Sequence, residues 1–274
     1  MTKNEIITTC LKQKEKFEKT LVGETYQLRG IFNSEALLIV SIVKHFRVLH
    51  LIESGRARGH STNLFAKFFS DEPDFKITSI DYDNTSEDTK YSEKYLAKYS
   101  NLDLIYGDSN VIIEKNITEN CIVFIDGPKA NDAIMLATRI LDDKRVKAVL
   151  VHDLHKNSFH RNICEAIFAN CFFSDDDEFV SKFRYLDENC WQVLNGTGEA
   201  PYQRYGKPIA SYASTVGLFF NSETPLIHPA YENYLKYLEV NSPTIKNLFI
   251  KLAPHDFWLY KIALKINKLI KKLN

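Results

Sequence analysis

An acidic residue stands at or just beyond the end of each of five short apolar runs in the first 155 residues of the chain. The five segments read Glu53-Ser-Gly55-Arg-Ala-Arg-Gly59-His-Ser61-Thr62, Asp81-Tyr82-Asp83, Gly107-Asp108-Ser109, Asp126-Gly127-Pro128-Lys129 and His152-Asp153-Leu154-His155. Acids favour turns and helix N-termini, which explains one or two such positions but hardly five. The recurrence therefore indicates a shared polar site.

The elements that must position these residues follow from the hydrophobic pattern. Strand-like runs cover 47–52, 76–80, 102–106, 122–125 and 146–151, and helical patterns between them cover 60–69, 91–99 and 130–141. Strands separated by helices need crossover connections, which predicts an α/β fold with a Rossmann-like, doubly wound and mainly parallel sheet. A further helix over 35–46, capped by Ser34 or Asn33, is expected to cover one sheet face.

In such a sheet, ligands bind in the crevice beyond the carboxyl ends of the strands. Gly55 and Gly59 allow a tight turn and a close approach of the backbone to a ligand. Ser61 and Thr62 open the next helix with free N–H donors. Asp81, at the end of the second strand, is placed to accept both hydroxyls of a ribose. These residues predict a nucleotide-like cofactor.

The series E-x-G-x-x-x-G-x-S-T, I-D-Y, G-D-S, I-D-G and H-D resembles the motifs of class I S-adenosylmethionine-dependent methyltransferases. Within that family it is most similar to small-molecule and sugar O-methyltransferases of the macrocin/cephalosporin-hydroxylase-like type. The resemblance covers about residues 33–155 and extends more weakly to 220. It implies S-adenosylmethionine as the cofactor, bound by Glu53, Gly55, Gly59, Ser61, Thr62, Asp81, Tyr82, Asp108, Ser109 and Asp126. Asp108 and Ser109 would lie at the adenine.

The first loop departs from the family pattern, because Arg56 and Arg58 stand where small residues are commoner. One of them would meet the cofactor carboxylate, or both are solvated surface residues, which is the favoured interpretation. His60 is interpreted as a residue of the helix start rather than as a ligand.

Asp126 and Asp153 end neighbouring predicted strands, which lie about 4.8 Å apart in a sheet. Two nearby carboxylates raise each other's pKa unless something positive joins them, and Mg²⁺ meets that need with oxygen ligands. The resemblance to metal-dependent O-methyltransferases implies metal-binding acids here, yet His152 replaces one of them. Imidazole suits transition metals better. A divalent metal on Asp126 and Asp153 thus stays an open prediction.

Lys129 follows Asp126 by three residues, a spacing that resembles the catechol-type methyltransferases, in which the lysine is the base. A desolvated lysine with a lowered pKa suits removal of a hydroxyl proton. His152 and His155 are rival bases, and the other interpretation makes Lys129 a solvated residue before a helix. The catalytic candidates are therefore Lys129, Asp153 and His152.

The predicted function is O-methylation of a hydroxyl on a sugar, a glycan or another small polar acceptor. A nicotinamide-dependent oxidoreductase is the first alternative, weakened because the loop reads G-x-x-x-G rather than G-x-G-x-x-G. A cofactor-binding scaffold without catalysis is the second. The long segment that carries Trp191, Tyr202 and Tyr205 is expected to be an irregular lid or substrate loop.

Composition narrows the class of protein. The 274 residues include 35 basic and 35 acidic side chains, a balance that argues against nucleic-acid binding. The longest apolar run, 36–40, is too short to span a bilayer, and the N-terminus lacks a signal-peptide pattern. Five cysteines without a C-x-x-C pair indicate free, mostly buried thiols in a reducing compartment. The predicted location is cytoplasmic.

The charge is unevenly distributed. Residues 244–274 carry seven lysines and one acid, a net charge of +6, which leaves −6 on the other 243 residues. We expect a methyltransferase domain over 1–222, with N-terminal helices at 1–46 covering the sheet, and a basic helical extension over 223–274. In that extension Ile262, Ile266, Leu269 and Leu273 share one face, opposite lysines. Such a helix contacts the inner membrane surface through 255–274, or packs on the body or on a second subunit.

Overall fold

The computed structural model describes residues 1–156, 158–197 and 215–220 of the chain. The strands are β1 (His50–Ser54), β2 (Lys76–Asp81), β3 (Leu102–Tyr106), β4 (Cys121–Ile125), β5 (Val146–Val151), β6 (Cys171–Phe173) and β7 (Gly217–Phe220). The helices are α1 (Lys3–Leu21), α2 (Asn33–Phe46), α3 (His60–Phe68), α4 (Glu87–Leu96), α5 (Ser109–Asn116), α6 (Asn131–Leu141), α7 (Phe159–Ile167), α8 (Asp177–Phe183) and α9 (Glu188–Thr197), with a 3₁₀ turn at Arg184–Asp187.

The strands form one sheet in the order β3-β2-β1-β4-β5-β7-β6. The first five strands are parallel, and β7 runs antiparallel to both β5 and β6. The chain order reverses between β1 and β4, which makes this the topological switch point of the sheet. The prediction of a Rossmann-like, mainly parallel sheet is confirmed.

The register brings three strand ends to one place. Ser54, the last residue of β1, pairs with Ile80 of β2 and with Ile125 of β4. The residues that follow, Gly55 and Asp126, therefore leave the sheet at the same edge as Asp81. This alignment converts separate sequence motifs into one crevice.

The sheet has a hydrophobic layer on each face, because successive side chains of a strand point to opposite sides. Leu51 packs with α1, α2 and α3, whereas its neighbour Ile52 packs with α5, α6 and α7. The predicted cover of one face by α2 is correct, since every residue from 33 to 43 of that helix is buried.

The start of α2 differs from the expectation. Ser34 and Asn33 were predicted to cap the helix, but the Ser34 amide donates to Asp187 Oδ1 at 2.8 Å, and the Phe32 amide donates to Glu35 Oε2 at 3.0 Å. The capping group thus comes from the 3₁₀ turn, a partner that no local pattern reveals.

The bounds of several other helices and strands differ from the predicted ones. Arg47 was expected in the first strand but ends α2 in the left-handed region, with φ 53° and ψ 39°. β1 consequently begins at His50 and includes Glu53 instead of ending before it. Helix α4 begins at Glu87 rather than at 91, and α5 and α7 were not anticipated.

The segment before β7 was expected to be irregular, and this is wrong for residues 177–197, which are helical. Trp191 lies on α9 with its ring centroid 5.3 Å from that of Phe32. Tyr202 and Tyr205, the other aromatic residues of the expected lid or substrate loop, lie outside the described residues. So does the basic extension over 223–274.

The cysteines and the length and apolar character of the helices can be compared with the predictions from composition. All five cysteines are free thiols, of which only Cys171 is exposed, as the sequence predicts for mostly buried thiols. Within the described part of the chain, no helix has both the length and the apolar character that crossing a membrane requires.

Candidate active site

The carboxyl ends of β1, β2 and β4 surround an open crevice of about 380 Å³. It lies at the switch point, where sheets of this type bind their ligands. Its lining residues are Arg29, Gly55, Ala57, Asp81, Asp83, Ser86, Asp88, Thr89, Asp126 and Lys129. Four of the predicted site residues are among them: Gly55, Asp81, Asp126 and Lys129.

Gly55 forms the closest approach of two strand ends. Its φ is +89°, and a Cβ atom at this position would lie 2.6 Å from the backbone nitrogen of Gly127. Only glycine fits, because a side chain would collide with backbone and would also require a disfavoured φ. Gly59 differs, since a Cβ there would meet Leu96 at 2.9 Å, on α4.

Asp81 holds the loop that follows β1. Its Oδ2 accepts the amides of Arg56 at 3.0 Å and Ala57 at 2.9 Å. Ala57 has a φ of 48°, a left-handed conformation that is uncommon for alanine. An ionised carboxylate has about four acceptor sites, so Asp81 retains capacity for ligand hydroxyls in the crevice.

Glu53 is fully buried beneath that loop. Its carboxylate accepts hydrogen bonds from the hydroxyls of Ser61 and Thr62, and from Ser79 Oγ at 2.7 Å. Burial raises the pKa of Glu53 against these three hydrogen bonds. Glu53, Ser61 and Thr62 were predicted at the cofactor, and the structure places them inside the protein, bonded to one another.

The residues predicted at the adenine, Asp108 and Ser109, and the predicted cofactor residue Tyr82 do not meet in the crevice. Asp108 Oδ1 accepts the Asn110 amide at 3.0 Å and thereby caps α5, and Ser109 is buried in the first turn. Tyr82 is 78% exposed. None of these three residues is among those that line the crevice.

The interpretation of Arg56 as a solvated residue is wrong, because only 2% of it is exposed. Its Nη1 donates to the Ser79 carbonyl at 2.7 Å, and its guanidinium lies 4.9 Å from the centre of the Tyr106 ring. The loop after β1 turns this side chain inward between β2 and α4. Arg58 is partly exposed and pairs with Asp88 at 2.6 Å.

His60 begins α3, as interpreted from the sequence, and is buried. Its Nδ1 accepts the Gln27 amide at 3.4 Å, and its Nε2 lies 3.0 Å from Asn33 Oδ1. Burial lowers the pKa of His60 to about 4. The ring is therefore a neutral structural link.

At the other end of the crevice, Lys129 lies between the two predicted carboxylates. Its Nζ bonds Asp126 Oδ1 and reaches Asp153 Oδ2 at 2.7 Å. His152 Nδ1 bonds the same Asp126 oxygen at 2.5 Å and lies 3.6 Å from Asp153 Oδ1. The sequence analysis assigned no cation between Asp126 and Asp153, whereas the structure places both Lys129 and His152 there.

The charges in this cluster stabilise one another. Burial opposes a charged His152, but Asp126 and then Glu35 outweigh it and raise the pKa of His152 to about 10. Burial likewise opposes a charged Asp126, whose pKa falls to about 2 because of His152 and Lys129. The pKa of Lys129 is raised by Asp126 and Asp153 despite burial. Near neutral pH, two cations thus face two carboxylates.

Glu35 was missed by sequence reasoning. It is buried on α2, with Oε2 3.5 Å from His152 Nε2 and Oε1 3.2 Å from Ser174 Oγ. Its position in the first turn of a helix is common for glutamate and carries no functional signal.

Asp126, His152 and Asp153 each offer one ligand atom, and these atoms lie within 4.8 Å of one another. A metal bound by these atoms would have to break the contact between His152 Nδ1 and Asp126 Oδ1. It would also have to displace Lys129 from between the carboxylates. The residues as arranged therefore fit the ammonium group of Lys129 rather than a metal ion.

No protein-family model matches the sequence, and no curated protein matches it. Similar solved structures include a Podospora anserina methyltransferase bound to S-adenosylhomocysteine, with 13% identity and a TM-score of 0.41, covering 80% of this chain and 95% of that one. An O-methyltransferase of tomaymycin synthesis from Streptomyces achromogenes, in complex with S-adenosylmethionine, has 12% identity, a TM-score of 0.42 and coverage of 81% and 92%. A Bacillus cereus O-methyltransferase in complex with S-adenosylhomocysteine has 10% identity and a TM-score of 0.41, and the match covers 81% of this chain and 93% of that one.

The order and direction of the strands define the fold. Five parallel strands have the order 3-2-1-4-5, and the antiparallel strand β7 lies between β5 and β6. This is the Rossmann-like fold of class I S-adenosylmethionine-dependent methyltransferases that the motif resemblance implies.

Proposed function

We propose that the protein is an S-adenosylmethionine-dependent O-methyltransferase. The observation that carries the proposal is the crevice at the switch point, with Gly55 on its floor, Asp81 at one end and Lys129 at the other. Its volume of about 380 Å³ lies in the range of small-molecule sites. A nucleoside would bind at Asp81, and the sulfonium methyl would point toward Lys129.

The reaction transfers a methyl group to an oxygen. The hydroxyl oxygen of the acceptor attacks the methyl carbon, the carbon–sulfur bond breaks, and its electron pair stays on the sulfur. Because Lys129 holds its proton in the ion-pair cluster, we assign it the role of donating a hydrogen bond to the acceptor oxygen, with its proton retained on the ammonium. Asp153, 41% exposed and ionised, is the group that takes the hydroxyl proton. Alignment of the reacting atoms supplies much of the rate.

The proposed acceptor is a hydroxyl of a sugar, a glycan or another small polar molecule. Support comes from the polar reacting end, where the Lys129 side chain is 50% exposed. Further support comes from the aromatic cluster of Tyr26, Phe32 and Trp191, in which Tyr26 and Phe32 are buried and the partly buried Trp191 has a ring face that can stack on a sugar ring. The Phe32 amide is bonded to Glu35, which links this cluster to His152.

Calorimetry tests the cofactor directly, with S-adenosylhomocysteine and NAD titrated separately into the purified protein. We expect S-adenosylhomocysteine to bind and NAD not to bind. Binding of NAD alone would replace the proposal with the nicotinamide-dependent oxidoreductase. Cofactor binding without turnover on any hydroxyl acceptor of a sugar panel would favour a scaffold.

A divalent metal stays outside the proposed reaction. Chelation with EDTA should leave methyl transfer unchanged, because Lys129 and His152 already neutralise Asp126 and Asp153. Loss of activity that Mg²⁺ or Mn²⁺ restores would put a metal on these residues and displace Lys129.

We also propose that the basic extension binds an anionic membrane surface. The support is the lysine excess over 244–274 and its apolar stripe, since each lysine near an anionic leaflet contributes about 1 kcal/mol. The full chain should sediment with anionic liposomes and be released by high salt. A chain ending at Pro243 should remain in the supernatant. Equal sedimentation of both would instead indicate packing on protein.

A further inference from the structure

Arg29 lines the crevice and lies on the segment between α1 and α2, residues 22–32. The Glu24 carboxylate anchors one end of this segment through donors on α3 and α4: Lys67 Nζ at 2.6 Å, Asn63 Nδ2 at 2.8 Å and Tyr95 Oη at 2.8 Å. Gly30 anchors the other end, where a Cβ atom would lie 2.6 Å from the Cβ of His60. The segment is therefore held against the body on both sides of Arg29.

Arg29 projects from this fixed segment to the crevice. Its backbone has a φ of 69°, and its Nη1 donates to Asp88 Oδ2 at 2.8 Å. The side chain is 77% exposed, and an ion pair so exposed contributes at most about 1 kcal/mol. Arg29 can thus exchange this partner for a ligand at little cost.

Asp88 does not depend on Arg29 for its counter-charge. Its other oxygen, Oδ1, accepts from Arg58 Nε at 2.6 Å. When Arg29 turns away, Asp88 remains paired with Arg58 through an unchanged contact. The two arginines share one carboxylate, and Arg29 is the more exposed of them.

Among the described residues that line the crevice, Arg29 is the cation best placed to meet an anionic ligand group. Among the described residues, its acids are Asp81, Asp83, Asp88 and Asp126, and its cations are Arg29 and Lys129. Lys129 is engaged by two carboxylates at the reacting end. The amino-acid end of S-adenosylmethionine carries a carboxylate, which the acids would repel unless a cation meets it.

We propose that Arg29 binds the carboxylate at the amino-acid end of the cofactor and leaves Asp88 to Arg58. This assignment rests on the proposed function. A guanidinium is suited to it, because its planar donors match both oxygens of a carboxylate. Its place on the segment ahead of α2 puts carboxylate recognition outside all five motif segments.

The test compares two ligands by calorimetry, S-adenosylhomocysteine and 5′-methylthioadenosine, of which only the first has the amino-acid end. Arg29→Met should weaken S-adenosylhomocysteine by on the order of tenfold and leave 5′-methylthioadenosine within twofold. Arg145→Met is the matched control, since Arg145 is another partly exposed arginine paired with one carboxylate, Asp143, and does not line the crevice. It should not change the ratio of the two affinities.

The outcomes separate the two proposals. If the native protein binds neither ligand, the proposed function fails, and the role of Arg29 fails with it. If the native protein binds both, equal effects of Arg29→Met on the two ligands, or no effect, overturn the Arg29 assignment alone. An unchanged affinity for S-adenosylhomocysteine with a raised KM for the acceptor would also overturn it, since the anion would then belong to the acceptor.

Asp88→Asn keeps the test decisive if Arg29→Met unfolds. This change removes the competing charge while it keeps Arg29, so S-adenosylhomocysteine should bind more tightly relative to 5′-methylthioadenosine. A weaker relative affinity would contradict the assignment, because it would make Asp88 and not Arg29 the group that favours the amino-acid end.

Discussion

The two ends of the crevice satisfy their carboxylates in different ways. At the Asp81 end, the partners are backbone amides of the adjoining loop, and at nearby Glu53 they are three hydroxyls. At the Asp126 end, the partners are the charged side chains of Lys129 and His152. The first end is an assembly of dipoles around the loop, and the second is a cluster of full charges.

The difference indicates separate tasks. Amides and hydroxyls hold a loop in one shape without changing charge, which suits recognition of a neutral nucleoside. Charged groups in a partly desolvated site can stabilise charge that develops during a reaction. We therefore expect changes at the Asp126 end to affect turnover and changes at the Asp81 end to affect stability and cofactor affinity.

The largest expected effect is on turnover. Asp153→Asn should lower kcat by about 10²- to 10³-fold, because it removes the proposed proton acceptor. The affinity for S-adenosylmethionine should stay within about threefold, as calorimetry can verify. Asp71→Asn serves as control, since Asp71 is an exposed acid paired with Lys16. A kcat within fivefold of the native value would remove Asp153 from the reaction.

The second effect is on stability. Glu53→Ala leaves three buried hydroxyls without their acceptor and should lower the free energy of unfolding by about 3 kcal/mol. Glu53→Gln retains one acceptor oxygen and should cost about half as much. Urea denaturation of both variants, with exposed Glu15→Ala as control, measures the difference. Glu53→Ala that unfolds at the native midpoint would show that these hydroxyls find other partners.

The third effect is on cofactor affinity. Asp81→Ala removes an acceptor for ribose hydroxyls and the anchor of the loop, so S-adenosylmethionine should bind about ten- to a hundredfold more weakly, a loss of ~1.5–3 kcal/mol. Calorimetry on the folded variant gives the dissociation constant, with Asp103→Ala as control on the neighbouring strand. An unchanged constant would take Asp81 out of the binding site.

The smallest effect is a pH dependence from His60. Its pKa is lowered by burial to about 4, from an ordinary value of 6.5. Between these values the unfolded chain binds a proton that the native protein does not, so stability falls as the pH decreases from 6.5 to 4. We expect this loss to be on the order of 2 kcal/mol.

His60→Gln should flatten that part of the stability curve, measured as urea midpoints at several pH values. Glu24, whose charge raises the pKa of His60, is retained in this variant, so its own contribution to the slope is the same in both proteins. The same slope in native and variant proteins would assign the acid sensitivity to carboxylates elsewhere.

Much of the molecule could be predicted from consecutive residues. Strand β3 was placed at its true ends, β5 likewise, and Gly55 was assigned to a turn that only glycine can make. Apolar periodicity and turn chemistry are local properties, so one stretch of chain reveals them. The parallel sheet then followed from the alternation of strands and helices.

Contacts between distant residues were decided by the tertiary structure alone. Asp187 caps α2 across 153 positions of sequence, and His152 bonds Asp126 across 26. The inward turn of Arg56 and the position of Arg29 at the crevice have no signature in the sequence, because each depends on which surfaces the fold brings together. The sequence by itself determined where acids would gather. Lys129 reaches Asp126 from three residues along the chain. Only the folded chain decided that this lysine would also meet Asp153 and that His152 would bond Asp126, because the pairing of β4 with β5 brings the two strand ends together.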